Sequence, residues 1–144
     1  MLSNDLDLSL LLDSLGISAD LLARTRLPFY PVAPDVVLAE TDADGTQYML
    51  APDAARAWRD LKSAAREVGI HVEIVSSFRT IEDQAAIIRE KLARDMPIDT
   101  ILTLSAPPGY SEHHTGRAVD INTPGCAPRE ESFEQTDAFR WLVR

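Results

Sequence analysis

The ten residues Ser111-Glu112-His113-His114-Thr115-Gly116-Arg117-Ala118-Val119-Asp120 constrain this 144-residue chain more than any other stretch. They set an imidazole and a carboxylate seven residues apart with a glycine between them. Glycine takes backbone angles closed to other residues, so Gly116 permits a reversal that turns His113 and Asp120 toward one point. Histidine nitrogen and aspartate oxygen are zinc donors, and a catalytic zinc keeps three protein ligands and an open position for water. Ala118 leaves room beside such an ion. A lone His and Asp also serve as an ordinary surface or hydrogen-bonded pair, and His114 is expected either to face solvent or to lie behind the ligands.

Around this stretch the chain reads as a mixture of helices and strands. Leucine spacing over Asp5 to Leu15 and Ala19 to Arg26 suits two short helices separated at Gly16. Residues 1–27 are therefore expected to form an N-terminal helical extension, and residues 28–144 a core domain. Pro28, Pro31 and Pro34 mark an irregular connector. Val36 to Glu40 and Thr46 to Leu50 flank Asp42-Ala43-Asp44-Gly45, which is a hairpin signal. Pro52 to Val68 predicts a strong helix, with proline in its first turn, Ala54, Ala57, Trp58, Leu61 and Ala65 on one face, and Gly69 at its end. Apolar alternation from Ile70 to Val75 predicts a strand, and His71 within it reads as a structural or surface histidine. Thr80, with Asp83 three positions on, caps a helix over Ile81 to Ala93. A shorter helix over Asp95 to Leu104, a loop over Ala106 to Tyr110 and a strand over Ala118 to Ile121 follow. The two metal donors then sit at the mouth of a sheet, where a peptide has room to lie.

Ser111, His113, Gly116, Ala118 and Asp120 fill a Ser-x-His-x-x-Gly-x-Ala-x-Asp pattern. It resembles the signature of the VanY-type D-alanyl-D-alanine carboxypeptidases, zinc peptidases that trim peptidoglycan peptides, and five fixed positions within ten are rarely met by chance. The resemblance implies that His113 and Asp120 are zinc ligands and that Ser111 helps to hold substrate; nickel or cobalt accepts the same ligands. Upstream, Ser76-Ser77-Phe78-Arg79-Thr80, followed by Gln84, resembles the family's Ser-Gly-Tyr-Arg-Ser block. On that likeness Arg79 is the catalytic arginine that steadies a developing oxyanion or a substrate carboxylate, and Gln84 lines the site as a substrate-binding hydrogen-bonder. Ser77 stands where the family has glycine and Phe78 where it has tyrosine, so no phenolic hydroxyl is available at that position. The planar fork of a guanidinium matches a carboxylate with two parallel bonds. Without the downstream motif, Arg79 reads as a residue that caps or pairs at a helix start.

The resemblance further implies a Glu general base and a third zinc ligand in a Glu-x-x-His pattern that precedes an aromatic residue. Phe133 to Leu142 resembles the region just before that pattern, and the histidines present are His71, His113 and His114. The sequence thus reads as stopping early, either as a shortened form or as a protein that lacks part of the site. Glu112 adjoins a ligand and is expected to point away, while Glu130, Glu131 and Glu134 read as a solvated acidic face. In a completed site zinc lowers the pKa of its water from about 15.7 to about 7 and polarises the scissile carbonyl. A carboxylate then carries the proton to the leaving amine. With two ligands alone, zinc binding is expected to be weak and catalysis poor.

Hydrophobic residues at 45% and charged residues at 26% suit a globular domain able to bury its own core. The net charge of −9 argues against nucleic acid and anionic membrane surfaces as partners. Cys126, the one cysteine, reads as an incidental thiol in a loop. Asp5, Asp7 and Asp13 interrupt a start that lacks basic residues, and Leu8 to Leu12 is too short to span a bilayer. The expectation is a cytoplasmic protein as given, or a periplasmic or wall-facing form if a signal was removed. The expected fold is α+β, a small antiparallel sheet flanked by helices, as the resemblance to the D-Ala-D-Ala carboxypeptidase and hedgehog-like zinc peptidases implies. The expected function is zinc-dependent hydrolysis of peptidoglycan stem peptides or their precursors. The alternatives are a non-catalytic relative that binds wall peptides or a metal, and an endopeptidase that cuts cross-links.

Overall fold

Two separate apolar clusters organise the chain, which the computed structural model describes over residues 5–126 and 131–143. In chain order the elements begin with helices α1 (Asp5–Ser14) and α2 (Ala19–Thr25), strands β1 (Val37–Thr41) and β2 (Gln47–Leu50), and helix α3 (Pro52–Glu67). Strand β3 (Glu73–Ser76), helices α4 (Ile81–Ala93) and α5 (Ile98–Ile101), strand β4 (Asp120–Asn122) and helix α6 (Asp137–Leu142) follow, with short 3-10 turns at Glu112–Thr115 and Glu131–Gln135. The clusters belong to two units. Unit 1 takes the described residues of Met1–Val32 and Arg79–Thr115, and unit 2 those of Ala33–Phe78 and Gly116–Arg144.

In unit 1, Leu11, Leu12, Leu15 and Ile17 pack with Ala85, Ile88 and Ile101. The segment 1–27, expected as an extension, therefore shares one core with helices that lie beyond Arg79 in sequence. Local chemistry starts these helices where the sequence places them. Ser18 Oγ accepts the Leu21 N–H at 3.1 Å ahead of α2. Ahead of α4 a reciprocal pair forms, Asp83 N–H to Thr80 Oγ1 at 3.0 Å and Thr80 N–H to Asp83 Oδ2 at 2.9 Å, so two orphan donors are satisfied at once. Helix α5 is shorter than the expected Asp95 to Leu104. Asp95 adopts a left-handed φ of 62° and the helix begins after Pro97, because a proline disfavours helical geometry in the residue before it.

In unit 2, Leu50, Ala55, Trp58, Ala65, Val72, Ile74 and Ala138 form the second cluster. The buried face of α3 runs through Ala55, Trp58 and Ala65, and Ala57, expected on that face, is exposed. Adjacent residues on a helix point about 100° apart, so Trp58 facing inward carries Ala57 off the core. The indole N–H of Trp58 donates to Glu40 Oε1 at 3.2 Å, and Lys62 pairs with the same oxygen, which ties α3 to β1. The antiparallel pairing is divided into two two-stranded ladders, β1 with β2 and β3 with β4. Asp42 closes the first hairpin: its Oδ1 accepts the N–H groups of Asp44 and Thr46 at 2.9 and 3.0 Å, and its Oδ2 accepts the Tyr48 hydroxyl at 3.0 Å. The second ladder aligns Glu73 with Asn122 and Ser76 with Asp120. His71 is exposed just before β3, and its carbonyl accepts the Thr123 hydroxyl at 2.6 Å. No described helix is long and apolar enough to cross a membrane.

Candidate functional site

The boundary between the units falls inside both motifs, after Phe78 and after Thr115. Arg79, Gln84, Ser111 and His113 belong to unit 1, and Asp120 belongs to unit 2.

In unit 1 the two motifs meet through the backbone of Arg79. Its N–H donates to the His113 carbonyl at 3.2 Å, and its own carbonyl lies 2.9 Å from His114 Nδ1. Its guanidinium Nη1 donates to Gln84 Oε1 at 3.1 Å. Gln84 is 1% exposed, and its amide nitrogen donates to the Ala106 carbonyl at 2.8 Å. Both ends of that side chain are thus engaged, one of them in orienting Arg79. Ser111 is buried as well. Its Oγ accepts the His113 N–H at 3.2 Å, a hydroxyl bond that shapes the 3-10 turn Glu112–Thr115. Glu112 and Glu134 are exposed, and Glu130 lies outside the described residues.

His114 corrects the solvent-facing alternative: it is 0% exposed. Its Nε2 accepts the Gly109 N–H at 3.0 Å while Nδ1 faces the Arg79 carbonyl. An amide donor at one nitrogen and a carbonyl acceptor at the other are satisfied together by the neutral ring with its proton on Nδ1. Burial lowers the pKa of this imidazole, and the nearby Arg79 and His113 charges push the same way against the hydrogen bond to Arg79. Sequence reading leaves His114 between facing solvent and lying behind the ligands, because its partners, Gly109 and the Arg79 carbonyl, come from other segments. Pro107 and Pro108, in the same loop as Gly109, are themselves fully buried.

In unit 2 the other ends of the two motifs meet through the β3–β4 ladder. Asp120 opens β4 opposite Ser76, and the neighbouring Phe78 N–H donates to the Met49 carbonyl at 3.0 Å. Gly116 adopts φ +71°, and its carbonyl accepts the Ala51 N–H at 2.8 Å. A Cβ on Gly116 would lie 2.9 Å from that same Ala51 nitrogen, so the position needs glycine for both conformation and space. Arg117 points outward and pairs with Asp53 at 2.6 Å, and this hydrogen bond holds the Asp53 carboxyl below the usual range.

His113 and Asp120 are of the donor type that zinc takes, but no group of three His, Cys, Asp or Glu residues able to hold a metal occurs among the described residues. The described chain therefore does not complete a three-ligand set. A cavity of about 620 Å³ in unit 2, bordered by His71, Thr123, Ala138 and Trp141, and one of about 420 Å³ in unit 1, bordered by Leu12, Ile17, Phe29 and Tyr110, contain no residue of either motif.

Comparison with known proteins places these motifs. A sequence profile described as VanY, D-alanyl-D-alanine carboxypeptidase, matches residues 47–144. A D-alanyl-D-alanine carboxypeptidase of Enterococcus faecalis (strain ATCC 700802 / V583) is 35% identical over 92 residues, covering 58% of this chain and 32% of that protein. The solved structure of VanYB in complex with D-alanine-D-alanine is 30% identical with a TM-score of 0.56, over 79% of this chain and 63% of that one. A vancomycin-resistance D,D-pentapeptidase VanY mutant in complex with Zn(II) is also 30% identical, with a TM-score of 0.54 over 78% of this chain and 64% of that one. The LD-carboxypeptidase LdcB shares the fold at 24% identity and a TM-score of 0.66, over 80% of this chain and 56% of its own. The chain spans about a third of the length of the curated relative and less than two thirds of each of these solved chains. The matched region holds both motifs, from Ser76 to Gln84 and from Ser111 to Asp120, and the chain belongs to the VanY family of D-alanyl-D-alanine carboxypeptidases.

Proposed function

We propose that the chain works on the D-alanyl-D-alanine end of peptidoglycan stem peptides or their precursors, as a zinc-dependent D,D-carboxypeptidase. The observation that carries this reading is Arg79. Its backbone is fixed against the Ser111 to Thr115 turn and its guanidinium is oriented by a buried glutamine. A guanidinium held in this way is built to receive a carboxylate or a developing oxyanion. Family membership supports the substrate class, as does the dipeptide bound by the VanYB relative.

Each residue then has a role. Arg79 holds the substrate carboxylate or the carbonyl oxygen. Gln84 acts through Arg79, since both ends of its amide are engaged within unit 1. Ser111, whose Oγ accepts the His113 N–H, helps to hold the peptide. His113 and Asp120 supply two ligands to zinc, an assignment supported by the Zn(II) complex of the VanY relative. When bound, zinc supplies an activated water and polarises the carbonyl.

Elemental analysis of the purified chain tests the ligands. With zinc supplied in excess, the expected result is weakly held zinc in the unaltered protein and in Arg79→Ala, and its loss in His113→Ala and Asp120→Ala. Zinc retained at the unaltered level in His113→Ala overturns the assignment. For Arg79, calorimetric titration with D-alanyl-D-alanine is expected to show at least a tenfold weaker affinity in Arg79→Ala, about 1.4 kcal/mol.

The same oriented Arg79 also serves a second reading, a relative that binds wall peptides without cleaving them. Release of D-alanine from a stem pentapeptide by the zinc-loaded chain decides for the enzyme, and dipeptide binding without release decides for the binder.

A further inference from the structure

Arg79 is held from two directions, and both lead to the same loop. Its side chain reaches the loop through Gln84, which takes a guanidinium N–H on Oε1 and gives its own amide N–H to the Ala106 carbonyl at 2.8 Å. Its main chain reaches the loop through His114, whose ring spans from the Arg79 carbonyl at 2.9 Å to the Gly109 N–H at 3.0 Å. The two bridging side chains are 1% and 0% exposed, and Pro107 and Pro108 between the anchor points are fully buried. Polar groups held this far from water are expensive to leave unmade, so each bridge is strongly directional.

Resting on the reading of Arg79 as the substrate-holding arginine, we propose that His114 is a positioning residue: a neutral, Nδ1-protonated bridge that, together with Gln84, fixes Arg79 against the loop over Ala106 to Tyr110. The tautomer follows from the partners. Nδ1–H meets the Arg79 carbonyl and the Nε2 lone pair meets the Gly109 N–H, whereas a proton on Nε2 would set two buried N–H groups against each other. The bridge also explains how one turn serves two purposes. His113 presents its imidazole as a proposed ligand, and the next residue uses the same ring chemistry inward, on backbone.

The test starts with the unaltered ¹⁵N-labelled chain at neutral pH. A long-range ¹H–¹⁵N spectrum is expected to show a His114 ring with a protonated Nδ1 and an unprotonated Nε2; an Nε2-protonated ring or an imidazolium overturns the proposal. In folded His114→Ala, exchange of the Gly109 amide and of the Arg79 guanidinium protons is expected to rise at least tenfold. In His114→Asn, whose amide nitrogen occupies about the place of Nδ1, the Arg79 signal is expected to return to within threefold of the unaltered chain while Gly109 stays released. A simple packing role predicts no such split between the two signals. Unchanged Arg79 exchange in a folded His114→Ala chain overturns the proposal, and if that variant does not fold, the ring spectrum and His114→Asn still decide it. Titration with D-alanyl-D-alanine separates this inference from the reading it rests on. If Arg79→Ala binds the dipeptide as the unaltered chain does, the substrate role of Arg79 fails, while the ring and exchange results continue to report on His114.

Discussion

The two ends of the Ser111 to Asp120 motif are built by different physics. In unit 1 the histidine end is held by buried polar side chains that bond to backbone, Ser111 within its own turn, and Gln84 and His114 on the loop over Ala106 to Tyr110. In unit 2 the aspartate end is held by a strand ladder, Ser76 opposite Asp120, and by a glycine pressed against Ala51. A ladder fixes register, since a slip of one residue would turn every side chain to the other face. A polar network fixes orientation, because each partner lost leaves a buried group unsatisfied at about 1–3 kcal/mol. The motif thus needs register for its carboxylate and orientation for its arginine neighbour.

This contrast can be broken or sharpened by substitution. The largest loss is expected from Ile88→Ala, which opens a cavity in the apolar cluster of unit 1, where Ile88 is 0% exposed. Urea unfolding is expected to show a destabilisation of about 2–5 kcal/mol, and a loss below the lower bound would mean that the site's frame does not depend on that core. Gly116→Ala comes next. The left-handed φ and the contact with the Ala51 nitrogen are expected to cost about 1–3 kcal/mol in thermal unfolding; a neutral result would remove steric fit from the account of the aspartate end.

A smaller effect is expected from pH. Burial depresses the His114 pKa, so above about 6.5 the ring is neutral in both folded and unfolded chains and contributes no pH dependence. As pH falls below that value the unfolded chain takes up a proton that the folded ring refuses, and stability is lost until the lower folded pKa is reached. Denaturant unfolding between pH 7.5 and 5 is expected to show this extra acid sensitivity in the unaltered chain and not in His114→Asn; equal slopes would mean that the ring protonates freely when folded. The smallest effect is expected from Arg117→Ala. The pair with Asp53 is solvent-exposed, and exposed pairs are screened, so the melting temperature is expected to stay where it is.

The features legible from sequence are those whose chemistry closes within a few residues. The Thr80 and Asp83 cap, the Asp42 turn, the reversal at Gly116 and the donor types of His113 and Asp120 all belong to this class, because dihedral preference and side-chain-to-backbone bonding act over one turn of chain. The β1–β2 hairpin and helices α3 and α4 follow from the same local patterns, whereas the antiparallel α+β fold as a whole is what the family resemblance implies, and the β3–β4 pair joins segments distant in sequence. Tertiary structure alone decided the rest. Ala55 took the place of Ala57 on the core face of α3, the segment 1–27 joined the cluster of α4 and α5, and both ends of the Gln84 amide were engaged by Arg79 and Ala106. His114, which carries no local mark of burial, is fully buried and bonded to Gly109 in a proline-containing loop and to a carbonyl 35 positions away. Burial and the choice of hydrogen-bond partner depend on which distant segments exclude water from a group, and no spacing within a single segment encodes that.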